Sequence, residues 1–233
     1  LSLRHDGCKV CLATDERIAA VLYTPSAFRE DDVEAMHAHI EATGLACLVT
    51  VGAAGPLVSH VPLRLDRDAG PFGTLSGHLA RANPQIEASD LSKPALAVFL
   101  LADAYVSPSW YASKAEHGRV VPTWNYSVVH ARGQLELFDD REALMAQVAA
   151  LTDRHEQRFD APWQASDAPA DYLERQLSAI VGVRLRIEAL EGKAKLSQNQ
   201  KPADYAGVVA GLGASASETD RTVAAMMAAK RED

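Results

Sequence analysis

Long apolar runs are missing from this sequence. The longest, Ala95 to Ala102, is eight residues, against the roughly 18 or more that a membrane-crossing helix needs. The first twenty residues show no basic stretch followed by an apolar core, so no secretory leader is read and a cytoplasmic protein is expected. Cysteine is scarce, with three in 233 residues. Cys8 and Cys11 form a lone C-x-x-C, with no second pair and no downstream histidine pair, so neither a structural zinc site nor a disulfide framework is expected. Cys47, inside an apolar stretch, reads as a small buried hydrophobe. Positive charge is in deficit: 23 Lys and Arg face 31 Asp and Glu, a net charge of −8. Phosphate contacts dominate nucleic-acid affinity, so this balance disfavours autonomous, sequence-nonspecific binding while leaving room for a local basic patch. DNA is therefore a possible partner that the charge does not support. Nucleotide and nucleophile signatures are absent too. There is no G-x-G-x-x-G, no P-loop and no G-x-S-x-G elbow, which argues against dinucleotide folds, NTPases and α/β-hydrolases. No helix-turn-helix is readable. His37 and His39 stand two apart on an expected helix and point to different sides, so no metal pair is read.

What is present is an ordinary globular composition, 48% apolar and 23% charged, on a chain long enough for one substantial core or a domain with appended helices. Residues 1–21 have no clear apolar period and read as an N-terminal extension. Asp31 with Glu34 predicts a helix start, and Val33, Met36 and Ile40 keep one face apolar until Gly44. Strands are expected over Leu45–Val51, turned by Gly55-Pro56, and over Leu57–Leu65. In the latter, Leu57, Val61, Leu63 and Leu65 oppose Val58, His60 and Arg64. Phe72–His78 reads as the returning strand and Ala95–Ala102 as a strand buried on both faces. Ser127–Leu137 alternates again. A helix over about 140–157, a loop over Asp160–Asp171, a short helix over Asp171–Ile180 and a last strand over Val181–Ala189 follow. Tyr205, Val208, Val209 and Leu212 mark a helix, and Ser215 with Glu218 signals a capping box for a final one. Antiparallel strands interleaved with helices predict a mainly β, α+β fold, a closed or split β-barrel with C-terminal helices. The expected division is an extension over 1–21, a domain over 22–212 and a helical tail over 213–233.

Four clusters exceed what packing demands. Ser59-His60-Val61-Pro62 places a proline in a strand, which marks an edge or an irregularity where a ligand meets backbone; the plain alternative is a half-exposed strand histidine. Ser76-Gly77-His78-Leu79-Ala80-Arg81-Ala82-Asn83-Pro84 collects a hydroxyl, a histidine and an arginine at a strand end, groups that hold a phosphate by charge-assisted hydrogen bonds. Tyr105–Tyr111 and Val121–Tyr126 carry three of the six tyrosines and two of the three tryptophans. Such density suits either a flat aromatic ligand or an aromatic-rich subunit contact. Lys195–Lys201 is a polar run after the last strand that either closes over an anion or is a solvated loop.

These clusters, with Tyr23-Thr24-Pro25, His60-Val61-Pro62-Leu63, Gly77-His78, Asn83-Pro84, Ser109-Trp110-Tyr111, Val121-Pro122-Thr123-Trp124-Asn125-Tyr126, Ile180-Val181-Gly182 and Lys195-Leu196-Ser197-Gln198-Asn199, resemble the successive blocks of the PaiB-type proteins, the FMN-binding negative transcriptional regulators. They run in the family's order over about residues 22–212. The resemblance implies an FMN-binding split barrel, similar in fold to pyridoxamine-phosphate oxidases, and a homodimer with FMN near the subunit interface. By that analogy the His60 strand flanks the isoalloxazine ring through its backbone, and Ser76, Gly77, His78, Arg81 and Asn83 lie near the phosphate. Trp124, Asn125, Lys195 and Gln198 would close the pocket from elsewhere in the dimer. The segment from Ala112 to Val121 is slightly longer than the family pattern. The resemblance implies a repressor; the rival is an FMN-dependent oxidoreductase, a flavin reductase or oxidase or a haem-modifying enzyme, with His60, His78 and His130 as acid–base candidates.

Overall fold

A computed structural model describes residues 21–230; residues 1–20, with the C-x-x-C of Cys8 and Cys11 and all of the expected N-terminal extension but Val21, lie outside the described residues. Strand β1 (Arg29–Glu30) leads into helix α1 (Val33–Thr43), then β2 (Leu45–Gly52), β3 (Gly55–Pro62), β4 (Arg64–Asp66) and β5 (Thr74–Ala80). A short helix α2 (Gln85–Ala88) precedes β6 (Ala95–Val106); α3 (Ser113–His117) precedes β7 (Thr123–Phe138). Helices α4 (Arg141–Glu156) and α5 (Ala170–Ser178) lead to β8 (Ile180–Lys195), followed by α6 (Pro202–Gly213) and α7 (Glu218–Lys230). Every pairing is antiparallel, in the order β3-β2-β6-β7-β8-β5-β4, with β1 added to β8.

Period-two alternation puts one side chain set inside this curled sheet. Ala46, Leu48, Val61, Leu63, Leu65, Leu75, Phe99, Val129 and Ile187 are buried together, and α1 closes one end with Met36 and Ile40. A second core lies where β6, β7 and β8 run beyond the barrel. There Val106, Tyr111 and Leu196 meet Tyr205, Val208 and Leu212 of α6 and Val223 and Met227 of α7. Helix α7 thus packs on the same core as α6.

Several boundaries differ from the sequence reading. Asp32, not Asp31, caps α1, accepting a hydrogen bond from the Glu34 amide; Asp31 pairs with Arg29 instead. Gly44 does end the helix, at φ +66°. The expected strand Leu57–Leu65 is interrupted at Leu63, which bonds the Gly44 carbonyl through its amide, because Pro62 has no N–H to continue the ladder. Ala95–Ala102 is not buried on both faces. Ala95, Ala97 and Phe99 point inward, whereas Leu100 is half exposed. The same parity turns Cys47 outward between buried Ala46 and Leu48, so it is only half-buried. The final strand continues to Lys195, because β8 pairs with the extension of β7 as far as Tyr126. Ser217 rather than Ser215 caps α7, accepting from the Asp220 amide, while the Ser215 hydroxyl bonds the Asp220 carboxylate.

His39 of α1 is buried, with Nε2 2.9 Å from the Phe99 carbonyl. Burial lowers its pKa below the ordinary 6.5, offset in part by that hydrogen bond. His130 is lowered by burial as well. For both, the unfolded chain binds protons more readily than the folded one. Their contribution is therefore fully present above about pH 6.5 and is lost as the pH falls below it towards the folded values. Thermal unfolding midpoints should fall between about pH 7.5 and pH 5, with a shallower fall in His39→Gln.

Candidate functional site

The sheet runs from β3 at one edge to the short β4 at the other, and β5, next to β4, lies against β3 without sharing a ladder, which leaves the barrel split there. Strands β3 and β5 touch at Gly77, where an added Cβ would lie 2.5 Å from the Pro62 carbonyl oxygen and 2.8 Å from Leu63 Cδ2. Only glycine admits this approach. Nearby, Asn83 Nδ2 donates to Ser59 Oγ at 2.9 Å, tying the end of β5 to β3, while its Oδ1 accepts from the Gln85 amide. The split therefore gathers the His60 strand, Gly77 and Asn83.

Ser76 and His78 point away from the core on the outer face of β5. Ser76 lies directly between Arg64 of β4 and Arg184 of β8 in the strand register, and directly opposed residues share a face. Arg64 Nε is buried without a hydrogen-bond partner. Arg184 bonds Glu136 at 3.2 Å and stacks on Phe138. One row further, Thr74 and Gln134 flank Arg186 in the register, and Arg184 and Arg186 line a hollow of about 350 Å³. Arg64, Arg184 and Arg186 were missed in the sequence because they are scattered over 64–186; only strand pairing puts them around one serine. His78 Nδ1 is 3.2 Å from Gln147 Oε1 of α4. The Arg81 guanidinium is held by the carbonyls of Ser178 and Ile180, each at 2.9 Å. These bonds fix the strand end; a phosphate there would share Arg81 with them.

A row of outward side chains crosses the sheet, His60, Cys47, Val98, His130 and Glu191, each opposite the next. His130 Nδ1 is buried without a partner. Around this row the face is apolar and open: Leu45 is 52%, Val58 54% and Leu100 50% exposed.

Trp124, Asn125, Lys195 and Gln198 sit elsewhere, at the far end of β7 and β8. Trp124 is half exposed, with its ring 6.2 Å from Tyr105, edge to face. Asn125 is wholly buried and exchanges hydrogen bonds with Ser197 Oγ at 2.9 and 3.0 Å, with a third contact to Met227 Sδ at 3.3 Å. Lys195 Nζ donates to Thr123 Oγ1 at 2.7 Å and to the Trp124 carbonyl, and burial, then Lys193, lowers its pKa. Gln198 bonds the Leu196 amide and the Ala194 carbonyl, bracing Ser197 at φ +64°. Asn125 and Lys195 line a hollow of about 250 Å³ with Tyr111, Thr123, Ser197 and Asn199. Both side-chain amides are engaged within this chain, Asn125 in the wall of the hollow and Gln198 bracing Ser197, which lines it. Replacing Asn125 by Ala leaves Ser197 unsatisfied in a buried place and should cost about 1–3 kcal/mol, read as a lower urea midpoint at unchanged slope.

A family model described as "Putative FMN-binding domain" matches residues 22–189. The chain belongs to this PaiB-type FMN-binding family. Its relatives include the Protease synthase and sporulation protein PAI 2 of Bacillus subtilis (strain 168), 28% identical over 188 residues covering 81% of this chain and 87% of that protein. An uncharacterized protein of Aspergillus fumigatus, AFUA_5G13800, is 34% identical over 195 residues, covering 66% of this chain and 75% of its own length. Among solved structures the fold is shared with the flavocytochrome Anf3 of Azotobacter vinelandii, with TM-score 0.53, 19% identity and coverage of 77% of this chain and 75% of that one. It is shared equally with the FAD and haem binding protein of Mycobacterium smegmatis, at TM-score 0.53, 18% identity and coverage of 72% and 73%. The fold is the split β-barrel of flavin-binding proteins, an antiparallel sheet with appended helices. Among the described residues no three His, Cys, Asp or Glu side chains converge to hold a metal ion.

Proposed function

We propose that this protein is a homodimeric FMN-binding regulator whose flavin lies between two chains. The observation that carries this reading is the separation of the two residue groups. The His60 row crosses β7 at His130, while Trp124 stands six residues further along. That is about 20 Å along the strand at about 3.3 Å per residue, besides three strand spacings across the sheet. One chain does not bring both groups onto one ligand; two chains meeting on the open apolar face around Val58 and Leu100 would.

The residues fit the group. The buried, unpartnered Arg64 Nε beside the Ser76 hydroxyl and Arg184 offers donors suited to a phosphate, with Asn83 and the split at Gly77 alongside. The apolar outer face of β3, β2 and β6 offers a wall for a flat ring, and Trp124 and Lys195 of the partner chain would cover it. FMN, when bound, supplies electron- or hydride-transfer capacity; these residues bind it, orient it and exclude water.

A regulatory output is supported by the PAI 2 relative, whose name gives processes, protease synthesis and sporulation, rather than a reaction. The net charge of −8 favours an output through a partner protein over direct reading of DNA. The second reading, an FMN-dependent oxidoreductase, is favoured by His130. Its unpartnered Nδ1 stands on the same face, neutral near pH 7 because burial lowers its pKa, a poised acid–base group. Titration with FMN during size-exclusion chromatography tests the first reading: a dimer that takes up one FMN per chain is expected, and a protein that binds none ends it. NADPH added to the loaded protein separates the two readings. Bleached flavin bands favour the oxidoreductase and persistent oxidised bands the regulator.

A further inference from the structure

A cleft of about 460 Å³ opens between α1 and α7, lined by none of the residues assigned above to the flavin, with His39 and Ser127 in its wall. This size lies within the range of about 300–1,000 Å³ usual for small-molecule sites. We infer that the cleft between α1 and α7 is a second binding site, for a small uncharged aromatic molecule carrying a hydroxyl group, recognised by the buried His39–Ser127 pair.

A backbone carbonyl only accepts, so the 2.9 Å contact to Phe99 places the hydrogen of His39 on Nε2. Burial keeps the ring neutral. Nδ1 is then an acceptor, and the Ser127 hydroxyl, 3.1 Å away, must donate to it. Ser127 Oγ has spent its one hydrogen and retains lone pairs at a residue 6% exposed, in the cleft wall. Among the described residues it makes no other side-chain hydrogen bond. A ligand must therefore offer a donor there.

The remaining walls set the rest of the ligand. Ala35, Ala38 and Ala42 make a low surface along α1, and Met36 and Met226 bring thioethers, which favour contact with aromatic rings. The charges at the rim, Glu30 and Lys230, bond each other at 2.8 Å. The ammonium of Lys193, which also lines the cleft, is taken up by the Tyr23 carbonyl at 2.9 Å and by the Tyr23 and Tyr126 rings. Each charge already has a partner, and an ion entering the cleft would lose its hydration without a free counter-charge. An uncharged ring with one hydroxyl matches this set.

The test uses the full chain and two probes of similar shape, 2-naphthol and 2-methylnaphthalene, followed by calorimetry with and without FMN. Saturable binding of 2-naphthol is expected, about tenfold tighter than the methyl compound, the scale of one neutral hydrogen bond. Ser127→Ala should erase that difference. Ala38→Leu, at an exposed helix position where folding is not at stake, should weaken both probes at least about tenfold by filling the cleft while FMN uptake stays unchanged. No saturable binding, equal affinity for the two probes, or full binding by Ala38→Leu would each overturn the assignment. Loss of FMN uptake in the unsubstituted chain would strike only the flavin reading, since the probes report the cleft alone.

Discussion

Gly77→Ala should be among the most damaging single-methyl changes in the protein. The added carbon meets a backbone carbonyl at 2.5 Å and a packed leucine methyl at 2.8 Å, and a carbonyl in the β3–β4 junction has nowhere to retreat. Strands β3 and β5 must separate, so a loss of about 2–3 kcal/mol is expected, the upper part of the range for overpacking. Because the split is also where the flavin is proposed to enter, FMN affinity should fall with it. The neighbouring Ser76→Ala provides the contrast. Its side chain points outward between two arginines, so stability should change by less than about 0.5 kcal/mol, while losing one charged-phosphate hydrogen bond should weaken FMN about tenfold or more. Urea titration and FMN titration of both variants separate the two roles. Equal stability loss in both would remove the special place given to Gly77.

Leu100→Glu should turn the proposed dimer into a monomer. The residue is 50% exposed on a face that also shows Leu45 and Val58, so a single chain accommodates the carboxylate in water and keeps its fold. Two copies meeting there would bury a pair of like charges, at a cost of several kcal/mol. Sedimentation should then report a monomer with a near-normal melting curve and, if each flavin is held between both chains as proposed, FMN affinity reduced at least about a hundredfold. A monomer that binds FMN normally would show that one chain suffices.

The sequence made the strands legible because their alternation is clean: Val61, Leu63, Leu65 and Leu75 are all inward, as expected of a half-buried sheet. The resemblance of ordered blocks carried the family and the fold further than pattern alone. Other features were not legible. The run Ala95–Ala102 reads as buried on both faces since nothing in one chain's sequence distinguishes a face covered by the core from one left for a partner. The Arg64–Ser76–Arg184 row depends on registers between strands far apart in sequence. The His39–Ser127 pair spans 88 residues and involves a helix histidine whose sequence context shows only an alternating pair. The caps slipped by one or two residues because Asp31 and Asp32, or Ser215 and Ser217, are chemically equivalent, and only the backbone decides which faces the helix amides.

The composite site is tested most directly by mixing two disabled chains. Ser76→Arg blocks the phosphate seat and Trp124→Glu the cover, both at side chains that point away from the cores. Each homodimer should bind little FMN. After equal mixing and exchange of subunits, half the dimers are mixed, and each of those has one site with both halves intact, so about a quarter of the sites should recover FMN binding. Recovery near that fraction is the predicted result. No recovery, in mixed dimers shown by mass to have formed, would contradict a flavin held between two chains.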